Sequence, residues 1–293
     1  MSFSMVIGRH WAWPALFLSG ISWAATFSLA KIATQEGAHP FSATFWQFAI
    51  AAAMLLAIFL VSRQRLSLGI GHIGLYVTCA LLGLVIPTIL FFYAAPEVSP
   101  GVIAIAIGTV PLMTDLAAST LRIDRLSFLR VVGILLGVLS VLLLTVPSVR
   151  FPGQSAIPWI LLTLVAALCF TAQNLVIALR KPAALNSYTL ACGMLLAAAI
   201  IMVPIVILTG TFEALLWPWD QTEWAIVLRA VISVVGHGLL ILLVTKAGPV
   251  FASQTSYIIT IAGVGWGIIL FDLSLIHISE PTRPRLISYA VFC

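Results

Sequence analysis

The chain has 293 residues, of which 62% are hydrophobic and only 8% are charged, and its formal net charge is +5. About a quarter of the residues in soluble domains are charged, so this composition excludes a water-soluble globular protein. The few basic residues form no run typical of a nucleic-acid-binding patch. We therefore predict an integral membrane protein.

Apolar runs long enough to cross a bilayer, about 20 residues each, divide almost the whole chain. They are continuous and rich in Leu, Ile, Val and Ala, whereas the strands of a membrane β-barrel are short and alternate apolar with polar residues. We predict an all-α membrane protein with no soluble domain between its spans. The nine predicted spans are 11–30, 40–61, 73–93, 99–120, 127–146, 156–179, 184–208, 224–245 and 250–271.

Basic residues predict the orientation of these spans. With the N-terminus in the cytoplasm, the inner ends hold nine basic residues and the outer ends hold three, Lys31, Arg150 and Arg229. Cytoplasmic loops of membrane proteins carry such an excess. The first span follows a basic start, as in a signal peptide, but it is long and eight more spans follow. We expect it to be retained as the first helix.

Span one places Trp23, Phe27 and Lys31 at four-residue spacing, so the three side chains share one helix face. Lys31 lies near the outer end, where a lysine can also snorkel to the interface. Span two contains Gln47 among alanines. A glutamine in a span either makes an interhelical hydrogen bond or contacts a solute.

Neither the glycines nor the cysteines indicate a cofactor or a metal. Gly69, Gly71 and Gly74 match the GxGxxG pattern, but no strand precedes it and no acidic residue follows at the required distance. The cysteines at 79, 169 and 192 lie in different spans without CxxC spacing. We expect small buried side chains at these cysteines.

Spans three and four contain prolines, and span four also contains a carboxylate. Pro87 lies in span three, and Pro111 removes a backbone hydrogen bond inside span four. Asp115 follows Pro111 by one turn. An Asp at the centre of a span costs about 2.5–3.5 kcal/mol to insert, so such residues face a cavity, a partner or a proton path. Asp115 is a candidate for coupling, and structural pairing is the alternative.

The later spans add further polar candidates. Span five contains Gly133 and Gly137, a spacing that favours close helix packing. Span six contains the adjacent amides Gln173 and Asn174, of which at least one is expected to face the bundle interior. Span seven is predicted to be interrupted by Pro204.

The loop after span seven and the middle of span eight contain the last features of note. The loop carries Trp217, Trp219 and Trp224, which are typical of an interfacial aromatic belt. His237 lies between two glycines near the expected midplane of span eight. It is either a proton relay or a hydrogen-bonded core residue.

Two parts of the chain are similar to each other. A shift of 149 residues lays Pro249 on Pro100, and a shift of 147 lays Phe170 on Trp23 and Asn174 on Phe27. Each copy would have five spans, an odd number, so the second copy would cross the membrane upside down. Inverted repeats with interrupted helices are typical of transporters, with the binding site between the repeats.

The last 21 residues differ abruptly in composition from the rest. LSLIHISEPTR and ISYAVFC, within 273–293, resemble translated sequencing adapter. Such segments are excluded from fold reasoning. We therefore expect nine native helices in the chain, with the tenth helix missing.

The order of these motifs resembles that of the drug/metabolite transporter superfamily, specifically ten-helix proteins with two EamA-type repeats. SWAATFSLAKIA, SPGVIAIAIGTVPLM and IDRLS followed by RVVGILLGVLSVLLL are the matching motifs, with weaker second copies, and the resemblance covers 11–272. The first repeat would be 11–146 and the second 156–272. Gln47, Asp124 and Thr260 stand where these repeats often have arginine, glutamate and proline.

The resemblance implies a secondary transporter of the bacterial inner membrane that exports amino acids or other small metabolites by alternating access. It is not expected to be an enzyme or to need a cofactor. The partners would be a small-molecule solute, the lipid bilayer, protons and, in a homodimer, a second copy of the chain. The expected solute-contacting residues are Trp23, Phe27, Lys31, Gln47, Gln173 and Asn174, and the coupling or pathway residues are Asp115 and His237.

Three other functions are alternatives. A membrane-embedded transferase would need clustered carboxylates, and Asp115 is the only carboxylate well inside a predicted span. A lipid or lipid-carrier flippase could share the fold and would open laterally between helices. A passive channel would lack the hinges indicated by the prolines.

Overall fold

The structure is a computed structural model that describes residues 10–35, 38–63, 66–94, 107–122, a few positions between 131 and 139, 157–215 and 217–271. The described part is helical and contains no strand, which confirms the all-α prediction. Its elements are α1 (Ala12–Gln35), α2 (Pro40–Val61), α3 (Ile70–Ala80), a π-helical turn (Leu81–Val85), α4 (Ile86–Ala94), α5 (Val110–Thr120), α6 (Ile157–Arg180), α7 (Ser187–Leu208), α8 (Gln221–Ala247), α9 (Pro249–Ser253) and α10 (Thr255–Phe271).

Six helices of the described part are long and apolar enough to cross a membrane. They correspond to predicted spans one, two, three, six, seven and eight, and span three combines α3, the π turn and α4. Span four is represented by α5, and span nine divides into α9 and α10. Gly133 and Gly137 of span five, and the tail 273–293, lie outside the described residues.

Side chains cap the helices whose first turns would otherwise leave backbone amides without partners. The His39 ring accepts the amide of Phe41 at the start of α2. At the start of α8, Asp220 and Glu223 form a reciprocal capping box. The hydrogen bond to the Glu223 side chain, and then that from the Thr222 amide, lower the pKa of Asp220.

The prolines affect the helices in different ways. The prediction that Pro204 interrupts span seven is wrong, because α7 continues through it to Leu208. A missing amide near the end of a packed helix is tolerated when neighbours satisfy the freed carbonyl. Pro111 lies in the first turn of α5, where an amide has no helical partner anyway. Pro87 is the second residue of α4, just after the π turn.

The helices pack in a regular set of pairs. α1 lies against α8 and α10, α2 lies against α7 and α8, and α6 lies against α4 and α5. The largest shared apolar core is formed mainly by α2, α7 and α8, and α1 and α3 add further residues. Its largest fully buried side chains include Phe48, Leu190, Met194, Leu195, Met202 and Ile241.

The loop between α7 and α8 is bound to the start of α2. The Glu213 carboxylate accepts the His39 amide at 3.0 Å, and the Glu213 carbonyl accepts the Trp46 indole N–H at 2.7 Å. Ser42 exchanges two hydrogen bonds with the Glu213 backbone, at 3.1 and 3.2 Å. The start of α2 and this loop therefore lie at one end of the bundle, where the sequence places two outer loops.

Ser42→Ala should lower the free energy of unfolding by about 1–2 kcal/mol, because it removes both hydrogen bonds between Ser42 and the Glu213 backbone and leaves the Glu213 carbonyl bonded to Trp46 alone. The midpoint of thermal unfolding of the purified protein in detergent measures this. Ser119→Ala is the matched control, since Ser119 bonds only to a carbonyl of its own helix. Equal midpoints for the two variants would contradict the docking of this loop.

Candidate functional site

Trp23 of α1 and His237 of α8 meet where these helices cross. The centroids of their rings lie 5.0 Å apart, with an angle of 55° between the planes. The close approach depends on Gly236, since a Cβ added there would lie 2.1 Å from the Trp23 Nε1 atom. Two residues that the sequence placed in different halves of the chain are thus in contact inside the membrane.

Ser233, one turn before His237, joins this contact to a third helix. Its carbonyl lies 2.8 Å from His237 Nδ1. A carbonyl can only accept, so Nδ1 carries the hydrogen and Nε2 of the neutral ring is left as an acceptor. The Ser233 hydroxyl accepts from Gln47 Nε2 at 2.8 Å. Trp23, Gln47, Ser233 and His237 form what we call the α8 polar cluster.

A second polar contact lies where α6 crosses the π turn. Gln173 is fully buried, and its Nε2 atom donates to the Cys79 carbonyl at 3.4 Å. Gly83 makes this possible, since a Cβ there would lie 1.9 Å from Gln173 Nε2. Pro87 lacks the amide that would bond to the Gly83 carbonyl in a regular helix. The helix is widened at this point, as π turns often are at functional sites.

The neighbours of Gln173 on α6 complete this region. Asn174 is buried, with 5% of its surface exposed. Phe170 stacks on Phe91 of α4, with ring centroids 6.0 Å apart and an interplanar angle of 28°. An amide pair and an aromatic pair therefore lie along the face of α6 that meets α4 and the π turn.

Asp115 lies on α5, where that helix packs against α6. It is 2% exposed, and the adjacent Thr114 hydroxyl lies 3.5 Å from the hydroxyl of Thr171. Leu175, one turn beyond Thr171, belongs to the same small apolar cluster as Ala118 of α5. Asp115 is thus held inside the bundle and does not face lipid.

The structure brings some of the predicted residues together and separates others. Trp23, Gln47 and His237 belong to one cluster, whereas Gln173 lies against the π turn and Asp115 lies at the α5–α6 contact. Phe27 and Lys31 follow Trp23 along the backbone of α1, and their side chains lie outside the described part.

Sequence reasoning missed four residues of this region. Arg229 was assigned to an outer end, but it is buried in α8 and is 6% exposed. Ser233 and Thr44 are small polar residues without a distinctive pattern, although Ser233 precedes His237 by one helical turn. Gly83 stands four residues before Pro87, and that spacing is the signal that could have found it.

A cavity of about 380 Å³ lies between α3 and the end of α6, away from the predicted residues. Beside it, burial and then the charge of Lys246 lower the pKa of Lys181. These basic residues belong to loops that the sequence places on the inner side. The cavity is lined by Gly71, Gly74, Leu75, Thr78, Val176 and Arg180.

No group of three or more His, Cys, Asp or Glu side chains that could hold a metal ion occurs in the part of the chain that the structure describes. Cys79 and Cys192 are buried, and Cys169 is partly buried. The chemistry that the two polar contacts can support is hydrogen bonding, aromatic packing and proton exchange at His237 or Asp115.

Buried polar side chains at the crossings of apolar helices are typical of a membrane transporter. Residues 10–146 match the EamA-like transporter family, and they form a domain of this family, within the drug/metabolite transporter superfamily. The resemblance seen in the sequence is thereby confirmed over these residues. The family is one of transporters rather than enzymes, and it implies a small-molecule solute and a lipid environment.

The fold is also found in a protein of known crystal structure. That protein has a TM-score of 0.61 with this chain and 19% sequence identity, over 90% of this chain and 98% of its own. Similarity at this level of identity shows a shared fold. No curated protein sequence matches the chain.

Gly83→Ala should destabilise the protein by about 1–3 kcal/mol, because the added methyl overlaps the buried Gln173 amide and displaces it from the Cys79 carbonyl. Gly74→Ala is the matched control on α3. Its Cβ would have nothing within 4 Å, so this change should be neutral or should raise stability by about 0.5–1 kcal/mol.

The midpoint of thermal unfolding compares the two alanine variants. Gly83→Ala combined with Gln173→Ala should recover part of the loss, since the shortened side chain removes the overlap. If Gly83→Ala unfolds at the same temperature as Gly74→Ala, the contact between Gln173 and the π turn is wrong.

Proposed function

We propose that this protein is a secondary transporter of the bacterial inner membrane that exports amino acids or other small metabolites by alternating access. The observation that supports it best is the α8 polar cluster, which places an aromatic ring, an amide and an imidazole together inside the membrane. Ionisable and polar residues within spans are costly and mark solute or proton pathways. The binding site would lie between two inverted repeats.

The packing of the helices supports the inverted repeats. The repeat relation pairs α1 with α6, α2 with α7, the helix α3–α4 with α8, and α5 with α9–α10. If each helix is replaced by its repeat partner, the α1–α8 pair corresponds to the α6–α4 pair, and the α1–α10 pair corresponds to the α6–α5 pair. All four pairs are in contact. At both crossings a large side chain packs on a glycine: Trp23 packs on Gly236, and Gln173 packs on Gly83.

The residues have distinct proposed roles. Trp23, with Phe27 and Lys31 on the same face of α1, would orient the solute, together with Gln47, Gln173 and Asn174. His237 would exchange the coupling proton through Nε2, because its Nδ1 atom is bonded to the Ser233 carbonyl. Asp115 would be the second coupling group. A homodimer would leave these sites unchanged, since each chain contains its own cluster.

Asp115→Asn and His237→Gln should each reduce export and weaken its dependence on pH, because neither new side chain exchanges a proton near neutral pH. Glutamine at 237 can still donate to the Ser233 carbonyl. The exported solute would first be identified by comparing metabolites in the medium of cells with and without the gene. Its uptake into everted vesicles would then be measured across a pH range.

The matched control is His72→Gln, a histidine near the inner end that contacts Ser67 rather than the cluster. It should leave export and its pH dependence unchanged. If Asp115→Asn and His237→Gln both behave like this control, the coupling assignment is wrong.

Single cysteines in a cysteine-free chain test the proposed topology. Ser62→Cys and Ala183→Cys should react with a membrane-impermeant maleimide only after the cells are permeabilised, because both loops would be cytoplasmic. Ala214→Cys should react in intact cells. Labelling of Ser62→Cys and Ala214→Cys from the same side would exclude the inverted arrangement, since the repeat relation makes these loops equivalent.

A lipid flippase is the second candidate, and the cavity between α3 and α6 favours it. Gly71 and Gly74 are exposed at this cavity, and Arg180 supplies a positive charge for a lipid headgroup. Proteoliposomes with fluorescently labelled phospholipid in one leaflet distinguish the two functions. If the protein exports metabolites and is not a flippase, the labelled lipid should cross the bilayer no faster than in protein-free liposomes.

A further inference from the structure

The cavity of about 380 Å³ between α3 and α6 is a feature that the proposed export mechanism does not use. Ligand-binding cavities in proteins are typically about 300–1,000 Å³, so this one can hold part of a ligand. Its lining from α3 includes Gly71, Gly74 and Thr78, and its lining from α6 is Val176 and Arg180. Each set is spaced by three or four residues, so each lies on one face of its helix. We call this space between two helix faces the α3–α6 groove.

The α3–α6 groove runs from one end of the bundle towards its middle. Gly71 lies in the first turn of α3, and Arg180 is the last residue of α6. Further along the two helices, Gln173 of α6 donates to the carbonyl of Cys79 of α3. The helices therefore lie side by side in opposite directions, with Arg180 beside the open end. From Gly71 to Thr78 the groove is about 10 Å long. The proposed topology places its open end at the cytoplasmic surface.

The two glycines of the α3–α6 groove keep it open. A Cβ added at Gly71 or at Gly74 would have nothing within 4 Å. At Gly83, Gly193 and Gly236, by contrast, a side chain of another helix occupies that space. Glycine destabilises a helix relative to alanine, and here it receives no neighbouring side chain in return. The glycine face therefore leaves room that an occupant other than this chain can fill.

The open end of the α3–α6 groove is basic. Arg180 is exposed there, and Lys181 follows it in the chain. Burial, and then the charge of Lys246 at the end of α8, lower the pKa of Lys181. The four carboxylates of the described ranges lie elsewhere: three are in or beside the loop between α7 and α8, and Asp115 is held inside the bundle on α5. An anion at the open end would thus meet positive charge.

The deeper part of the α3–α6 groove favours a lipid over a soluble anion. Leu75 and Val176 line it, and the Thr78 hydroxyl already donates to the Gly74 carbonyl at 2.8 Å. A phospholipid carries its phosphate at the membrane surface and its apolar chains below, which matches a basic open end above an apolar groove. Basic pockets between membrane helices on the cytoplasmic side bind anionic headgroups. The excess of inner basic residues orients the spans but does not account for a groove.

We propose that the α3–α6 groove binds an anionic phospholipid of the cytoplasmic leaflet. Arg180 binds the phosphate, and one acyl chain lies over Gly71 and Gly74. The lipid is a bound component of the protein rather than the molecule that it exports, so the site is independent of the identity of the exported solute. A lipid in this groove contacts both α3 and α6 and thereby stabilises the folded state.

Four additives test this site on the purified full chain in detergent. They are phosphatidylglycerol, phosphatidylcholine with the same acyl chains, glycerol phosphate and inorganic phosphate. Ligands that bind the folded state raise the midpoint of thermal unfolding. Phosphatidylglycerol should raise it more than phosphatidylcholine at equal concentration, because only the former has a net negative charge. The two soluble anions should leave it unchanged, because neither has an acyl chain.

Variants assign the effect to the groove. Gly74→Leu should remove the difference between the two lipids, because its side chain fills the groove, and Gly71→Leu supplies the test if that variant does not fold. Gly263→Leu on α10 is the matched control, since a Cβ there would also have nothing within 4 Å. Arg180→Gln should weaken phosphatidylglycerol binding about 5-fold. Arg63→Gln, at the end of α2, removes an inner charge outside the groove and should leave binding unchanged.

Three results would overturn the inference. They are equal shifts with the two lipids, an equal shift with glycerol phosphate, which would assign the site to a soluble anion, and unchanged lipid binding in both the leucine variant and Arg180→Gln.

Proteoliposomes with labelled phosphatidylglycerol in one leaflet separate a bound lipid from a transported one. The label should cross the bilayer no faster than in protein-free liposomes. Lipid movement that Gly74→Leu stops would make the groove a flippase pathway and end the inference. A failure to export any metabolite would end the transport proposal and leave the lipid site intact, because lipid binding is measured without transport.

Discussion

Polar side chains in this protein are kept inside the bilayer by main-chain carbonyls. Inside a membrane each polar group needs a partner within the protein. The Ser233 carbonyl accepts from the His237 ring, and the Cys79 carbonyl accepts from Gln173. A carbonyl has two lone pairs, so it can serve a side chain as well as its own helix. Two of the candidate residues, His237 and Gln173, are thus held by the helices themselves.

Two glycines allow side chains of neighbouring helices to reach α8 and the π turn. A side chain reaches a carbonyl of a neighbouring helix only if the two backbones approach closely, and small residues permit that approach. Gly83 and Gly236 lie directly beneath Gln173 and Trp23. Any larger residue at either glycine would push the polar side chain away from its position. The crossings therefore combine a rigid backbone contact with a buried polar group.

The sequence predicts what depends on hydrophobicity and not what depends on local geometry. Six predicted spans recur as membrane-crossing helices because runs of apolar residues leave few alternatives. His237 and Gln47 were identifiable because polar residues are rare in such runs. Ser233 and Gly83 were not, because serine and glycine are common in spans. The predicted break at Pro204 was wrong, because whether a proline interrupts a membrane helix depends on whether neighbours satisfy the carbonyl that it frees.

The polar contacts that join α8 to α1 and α2 contribute little energy of their own. A ring contact such as Trp23–His237 contributes about 0.5–1.5 kcal/mol beyond its burial, and the Gln47–Ser233 hydrogen bond contributes about 1 kcal/mol net. Conformations that interconvert in a functional cycle differ by a few kcal/mol. The apolar core to which α1, α2, α7 and α8 all contribute buries far more surface than these two contacts. Breaking the two polar contacts of the cluster therefore costs no more than the difference between such conformations, whereas separating the helices would also expose their apolar surfaces.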